Sequence, residues 1–115
     1  MRYLMLVCTA DDAVPGDRPG PGEPDIDTWV ETHDGSGARV TGNRLRPAAE
    51  ATTVRRRGDD LLVTAGPFAE TAEWIAGFDV IEAADHDEAV AIAAAHPMAR
   101  GGRIELRRYW LDDED

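Results

Sequence analysis

Residues 2–8 (Arg-Tyr-Leu-Met-Leu-Val-Cys) are apolar at almost every position. A strand with one wet face alternates, whereas a strand buried on both faces reads as a continuous apolar run, and this run is strand-sized. Four prolines and three glycines then fall within residues 15–24, a density that excludes helix and sheet interior and predicts a surface loop over 14–24. Asp25 is placed to cap a helix in which Ile26, Trp29, Val30 and His33 share one face at i, i+3, i+4 and i+7, with Gly35 and Gly37 weakening its end. Val40 to Leu45 reads as a short strand ended by Pro47. Thr52–Arg57 and Leu61–Thr64 read as the arms of a hairpin turning at Gly58-Asp59-Asp60.

The second half repeats the logic. Gly66-Pro67 breaks the pattern. Gly77 to Ala83 alternates, with Phe78, Val80 and Glu82 on one face and Asp79, Ile81 and Ala83 on the other. Asp85 and Glu88 form a capping box opening an alanine-rich helix that runs to about His96, where Pro97 stops it. Arg103 to Trp110 alternates again, Ile104, Leu106, Arg108 and Trp110 against Glu105, Arg107 and Tyr109. Strand, helix, strand with hairpin, strand, helix, strand is the order of an α+β, ferredoxin-like split βαβ domain with an added hairpin. Two helices cover one face of such a sheet. The unalternating first strand therefore predicts that a second copy of the chain covers the other, and a homodimer is expected.

Composition narrows the partners. The 115 residues suit one domain, expected over 1–111 with 112–115 as an acidic tail. Aspartate and glutamate total 23 against 12 arginines and no lysine, a net charge of −11. That field repels phosphates, so neither nucleic acid nor an anionic membrane surface is an expected partner. Arg55-Arg56-Arg57 is the local exception. On an alternating strand only Arg55 and Arg57 share a face, and a solvated face is the simpler reading. No apolar run approaches the length of a membrane span, and the first run lacks the features of a signal peptide. With Cys8 as its single cysteine the chain makes no internal disulfide, and a cytoplasmic setting is expected.

Candidate chemistry is sparse. The three histidines, His33, His86 and His96, show no metal-ligand spacing, so neither a metal nor another cofactor is expected. His33 lies on the apolar stripe of the first helix, which suits a core histidine bonded to backbone. His86 sits in a cap, facing solvent. His96 ends a helix, where it suits either a stabilising role or general acid–base work. There is one serine, Ser36, in no nucleophile motif, and Cys8 reads as a buried structural thiol. Glu70 and Glu73, three apart beyond the Gly-Pro turn, share a face if that stretch is helical, and like charges there raise one pKa.

Across Val63-Thr64-Ala65-Gly66-Pro67-Phe68-Ala69-Glu70-Thr71-Ala72-Glu73 the sequence resembles the YCII-related family, in its branch named after an Asp-Gly-Pro-Phe motif. Gly42 to Pro47, Ala51 to Arg55, Ile75 to Phe78, Asp85 to Ala89, His96 to Ala99 and Gly102 to Arg107 extend the likeness over nearly the whole chain. The resemblance implies a dimeric α+β barrel. It also implies relatedness to small-molecule enzymes of the muconolactone isomerase and dehydrochlorinase type, some of which use a His/Asp pair. The branch's leading Asp is Ala65 here and its usual Lys is Ala72. If those two charged residues carry the branch's chemistry, this chain has lost it. If they only pair with each other, their joint loss removes a salt bridge at little cost, and both being alanine suits the second reading slightly better. The resulting expectation is a cofactor-free, small-molecule-binding or enzyme-like dimer for a small anionic or aromatic ligand. Glu70, Glu73 and His96 are its candidate proton-moving residues, and Arg44 and Phe68 its candidate ligand-binding ones. The alternative is a non-catalytic interaction or regulatory module, linked through the branch to extracytoplasmic sigma factor systems.

Overall fold

The computed structural model describes residues 1–10, 25–67 and 73–111. The 14–24 loop, Phe68, Glu70, Ala72 and the acidic tail lie outside the described residues. Among the described residues six strands and three α-helices follow in order: β1 Arg2–Ala10, α1 Ile26–Ser36, β2 Arg39–Arg44, β3 Thr52–Arg57, β4 Asp60–Ala65, β5 Glu73–Glu82, α2 His86–Ala94, α3 Met98–Gly101 and β6 Arg103–Arg108, with a 3-10 turn at Ala48–Glu50. The main sheet has the order β2-β5-β1-β6, every neighbouring pair antiparallel, and β3-β4 stands as a separate two-stranded sheet. This is an α+β arrangement of antiparallel sheets, compatible with the ferredoxin-like order expected from the sequence.

Local chemistry explains the boundaries. The Asp25 carboxylate accepts from the Thr28 amide at 2.8 Å and caps α1. Gly37 closes the helix at φ 82°, a left-handed value where a β-carbon is strained. Asp85 accepts from the Glu88 amide in the same way and starts α2. That helix ends at Ala94, two residues short of His96. His96 sits instead in the bend before α3, where its amide bonds back to the Ala93 carbonyl. β5 begins at Glu73, four residues earlier than its alternation suggests. Irregular pairing with β1 between Val7 and Cys8 makes Ala76 an extra residue. The bulge breaks the alternation that marks a strand.

The core lies between the helices and one sheet face. Tyr3, Met5 and Val7 of β1, Ile81 of β5, Trp29 of α1 and Ala89, Ile92 and Ala93 of α2 are buried together with Ala83. Trp29 is fully buried, and its indole N–H donates to the Ile92 carbonyl at 3.0 Å, tying α1 to α2. On the opposite face Leu4, Leu6 and Cys8 are half-buried. The expectation of a buried Cys8 thiol is corrected to this extent, because β1 has helices over only one of its faces. The hairpin is the most exposed element: Val54, Leu61 and Val63 are 62%, 56% and 61% exposed. The pairing Val54↔Val63 and Arg56↔Leu61 puts all three on one face.

Candidate functional site

The site begins with an irregularity in β2. Arg39 pairs with Ile81, but the next partners are Thr41 and Val80, so Val40 is an extra residue in the strand. This offset places Arg39, Gly42 and Arg44 on one face, opposite Ile81, Asp79 and Gly77. It is the face that carries the core.

Arg39 uses that position to clamp two acids. Its Nε donates to Asp79 Oδ1 at 2.7 Å and its Nη1 to Asp34 Oδ1 at 2.9 Å. Asp79 is only 6% exposed. Burial pushes its carboxyl above the usual aspartate range, against the opposing pull of the Arg39 guanidinium. The same hydrogen bond holds Arg39 above its ordinary value in spite of partial burial. The guanidinium is shared with Asp34, and the buried carboxylate has lost water.

Across the cavity, His96 is 4% exposed. Its Nδ1 accepts from the Met98 amide at 3.0 Å. Its ring meets Trp29 edge-on, centroids 4.7 Å apart at 67°, while His33 lies 4.6 Å from the indole. His33 Nδ1 bonds the Trp29 carbonyl at 2.7 Å, the backbone bond expected of a structural histidine, although the residue is half-buried rather than fully enclosed. Burial, aided by the nearby His33, lowers the His96 pKa from 6.5 to about 4. At neutral pH His96 is an uncharged imidazole.

Between these groups lies a cavity of ≈ 430 Å³. Val7, Ile26, Val30 and Met98 form apolar walls, and Arg39, Arg44, Asp79 and His96 bring the charged and polar groups. Such a volume, apolar with a few converging polar groups, is the usual form of a small-molecule site.

Of the residues expected from sequence, His96 and Arg44 meet in this cavity. Glu73 opens β5 in register with Ala10, and its side chain, like Glu70 and Phe68, lies outside what the structure describes. Arg39 and Asp79 were missed as site residues. A signal for Asp79 was present, since alternation sets it on the face of Ile81 and Ala83, where a carboxylate needs a partner. Nothing local marked Arg39 as that partner, because a bulge sets its direction. Among the described residues, no three His, Cys, Asp or Glu side chains gather as a metal-binding group, and no helix is long and apolar enough to cross a membrane.

Residues 1–111 match the family model described as the YCII-related domain. An uncharacterised protein of Rhizobium meliloti (strain 1021) is 44% identical over 50 residues, a stretch that spans 44% of this chain and 40% of that relative.

Proposed function

The chain belongs to the YCII-related domain family, and from that premise we propose that it binds a small anionic or aromatic molecule in the β2–β5 cavity and moves a proton on it without a cofactor. The observation that carries this reading is the convergence of Asp79, Arg39, Arg44 and His96 on one apolar cavity of ≈ 430 Å³. Arg44, exposed on the same face as Arg39, meets an anionic group of the ligand. Asp79, a carboxylate whose proton affinity burial raises, is the group suited to exchange a proton with an acidic C–H. Proton NMR of single-ring keto acids in D₂O tests it. The expected result is enzyme-dependent deuterium incorporation next to the carbonyl that Asp79→Asn abolishes. A folded protein that neither binds nor exchanges any member of the panel would overturn it.

The assembly proposed with it is a homodimeric α+β barrel. Leu4 and Leu6 on the sheet's second face are half-buried, and the apolar hairpin face of Val54, Leu61 and Val63 stands in solvent. A second copy is the partner that covers both. The exposed hairpin also supports a reading as a non-catalytic interaction module. That reading is favoured if no exchange occurs while hairpin substitutions still break an assembly.

A further inference from the structure

We infer that the cavity takes its ligand through a carbonyl or carboxylate oxygen, and that His96 meets this oxygen as a neutral hydrogen-bond donor from Nε2, its tautomer set by the Met98 amide. The inference rests on the reading of the cavity as a ligand site and adds the ligand's functional group and the role of His96.

The tautomer follows from one hydrogen bond. A backbone amide can only donate, so the Met98 N–H at 3.0 Å requires a lone pair on Nδ1. In a neutral imidazole the proton then resides on Nε2. The bond is local and well supported. Met98 begins α3, the Ala99 amide bonds the His96 carbonyl at 3.0 Å, and the ring is packed against Trp29. Burial keeps the ring uncharged at neutral pH.

Among the described residues Nε2 has no protein partner, and no fully buried side-chain nitrogen or oxygen lacks one. Nε2 is therefore not fully closed off, in a residue that is 96% buried and lines the cavity. A donor opening onto apolar walls recognises an acceptor. The remaining polar groups agree. Arg39 and Arg44 line the cavity with Asp79, and the Arg39 guanidinium is divided between Asp79 and Asp34. Charge there is close to balanced, and Arg44 and His96 Nε2 bring donors to the cavity. A ring or short chain bearing a C=O supplies the acceptor that these donors need. Nδ1 being occupied and Nε2 protonated, His96 has no lone pair with which to act as a base. Its part is to polarise the oxygen, where charge develops if a proton leaves the adjacent carbon.

The test uses the full chain with ¹⁵N-labelled histidine and three probes of similar size: acetophenone, benzoate and cumene. Long-range ¹H–¹⁵N spectra of the free protein at pH 7 are expected to show His96 protonated on Nε2. Acetophenone and benzoate are expected to shift that proton downfield, and cumene to bind without moving it. His96→Met is expected to weaken acetophenone roughly 3- to 10-fold while leaving cumene unchanged, the loss expected for one neutral hydrogen bond. His96→Gln, which keeps an acceptor for Met98 and a donor for the ligand, is expected to restore most of it. An Nδ1–H tautomer, or acetophenone bound with the Nε2 proton unmoved, would overturn the role of His96 and leave the cavity as a site. Failure of all three probes to perturb the cavity residues would overturn the inference and the ligand-site reading together.

Discussion

Gly42 stands directly opposite Asp79 across the β2–β5 pair, and a β-carbon at position 42 would run into the Asp79 carboxylate, with Arg39 Nη2 and the Phe78 carbonyl both 2.7 Å away. The absence of a side chain at 42 is what lets Arg39 and Asp79 close over the strand. Gly42→Ala is therefore expected to destabilise the protein by about 1–3 kcal/mol, the range for overpacking a closed site. Urea unfolding with an unchanged m-value measures it. A variant as stable as the parent, with the cavity residues' NMR shifts unmoved, contradicts the geometry.

Trp29 joins three parts of the molecule. It fills the core between α1 and α2, bonds the Ile92 carbonyl and lies against both His33 and His96. Trp29→Ala is expected to cost about 3–5 kcal/mol, as for other large aromatic truncations in cores. Trp29→Phe keeps most of the apolar volume and loses the indole N–H, so it is expected to cost less and to retain the fold. Chemical denaturation of the two variants gives the order, and equal losses would show that packing at 29 is not what matters.

His96 makes the fold sensitive to acid in a definite direction. Its pKa is about 4 in the folded chain and ordinarily 6.5. Above pH ~6.5 the imidazole is neutral in both states and contributes no pH dependence. As pH falls from ~6.5 to ~4 the unfolded chain takes up the proton first, and stability falls by about 3 kcal/mol. Asp79 acts oppositely: its raised carboxyl takes up a proton sooner in the folded chain and so favours folding as acid is added. The difference between the parent and His96→Gln removes the Asp79 contribution. The expected result is a flatter stability curve for His96→Gln between pH 4 and 6.5. Parallel curves would place His96 in contact with water.

The fold was legible where side-chain chemistry acts locally. Asp25, Gly37 and Asp85 mark helix ends, and each aspartate accepts from the amide three residues on, as the spacing predicts. The turn at Gly58 and the alternation of β6 are equally local. The site was half legible for the opposite reason. His96 and Arg44 were recognised as residue types able to bind or move a proton. Arg39 and Asp79 meet only because Val40 is bulged out of register, and register shifts leave no periodic trace. Position 79 still carried a usable sign, a carboxylate alternating with Ile81 and Ala83.

The last prediction concerns the hairpin and the second copy. Val54, Leu61 and Val63 share a hairpin face and are each more than half exposed in the single chain. If that exposure persisted in solution, a charge at Val63 would cost little, since surface substitutions fall within about 0.5 kcal/mol. If a partner covers the face, the same charge is desolvated on assembly and breaks it. Val63→Glu is therefore expected to leave the protein folded by circular dichroism but monomeric at micromolar concentration, while the parent sediments as a dimer. The parent's Tm is expected to rise with protein concentration by mass action, and that of Val63→Glu to stay constant. Because each copy carries −11, association is expected to strengthen as salt is raised from low ionic strength and screens the repulsion. A parent chain that sediments as a folded monomer at every salt concentration overturns the dimer. A dimer indifferent to Val63→Glu moves the interface to the sheet face of Leu4 and Leu6 instead.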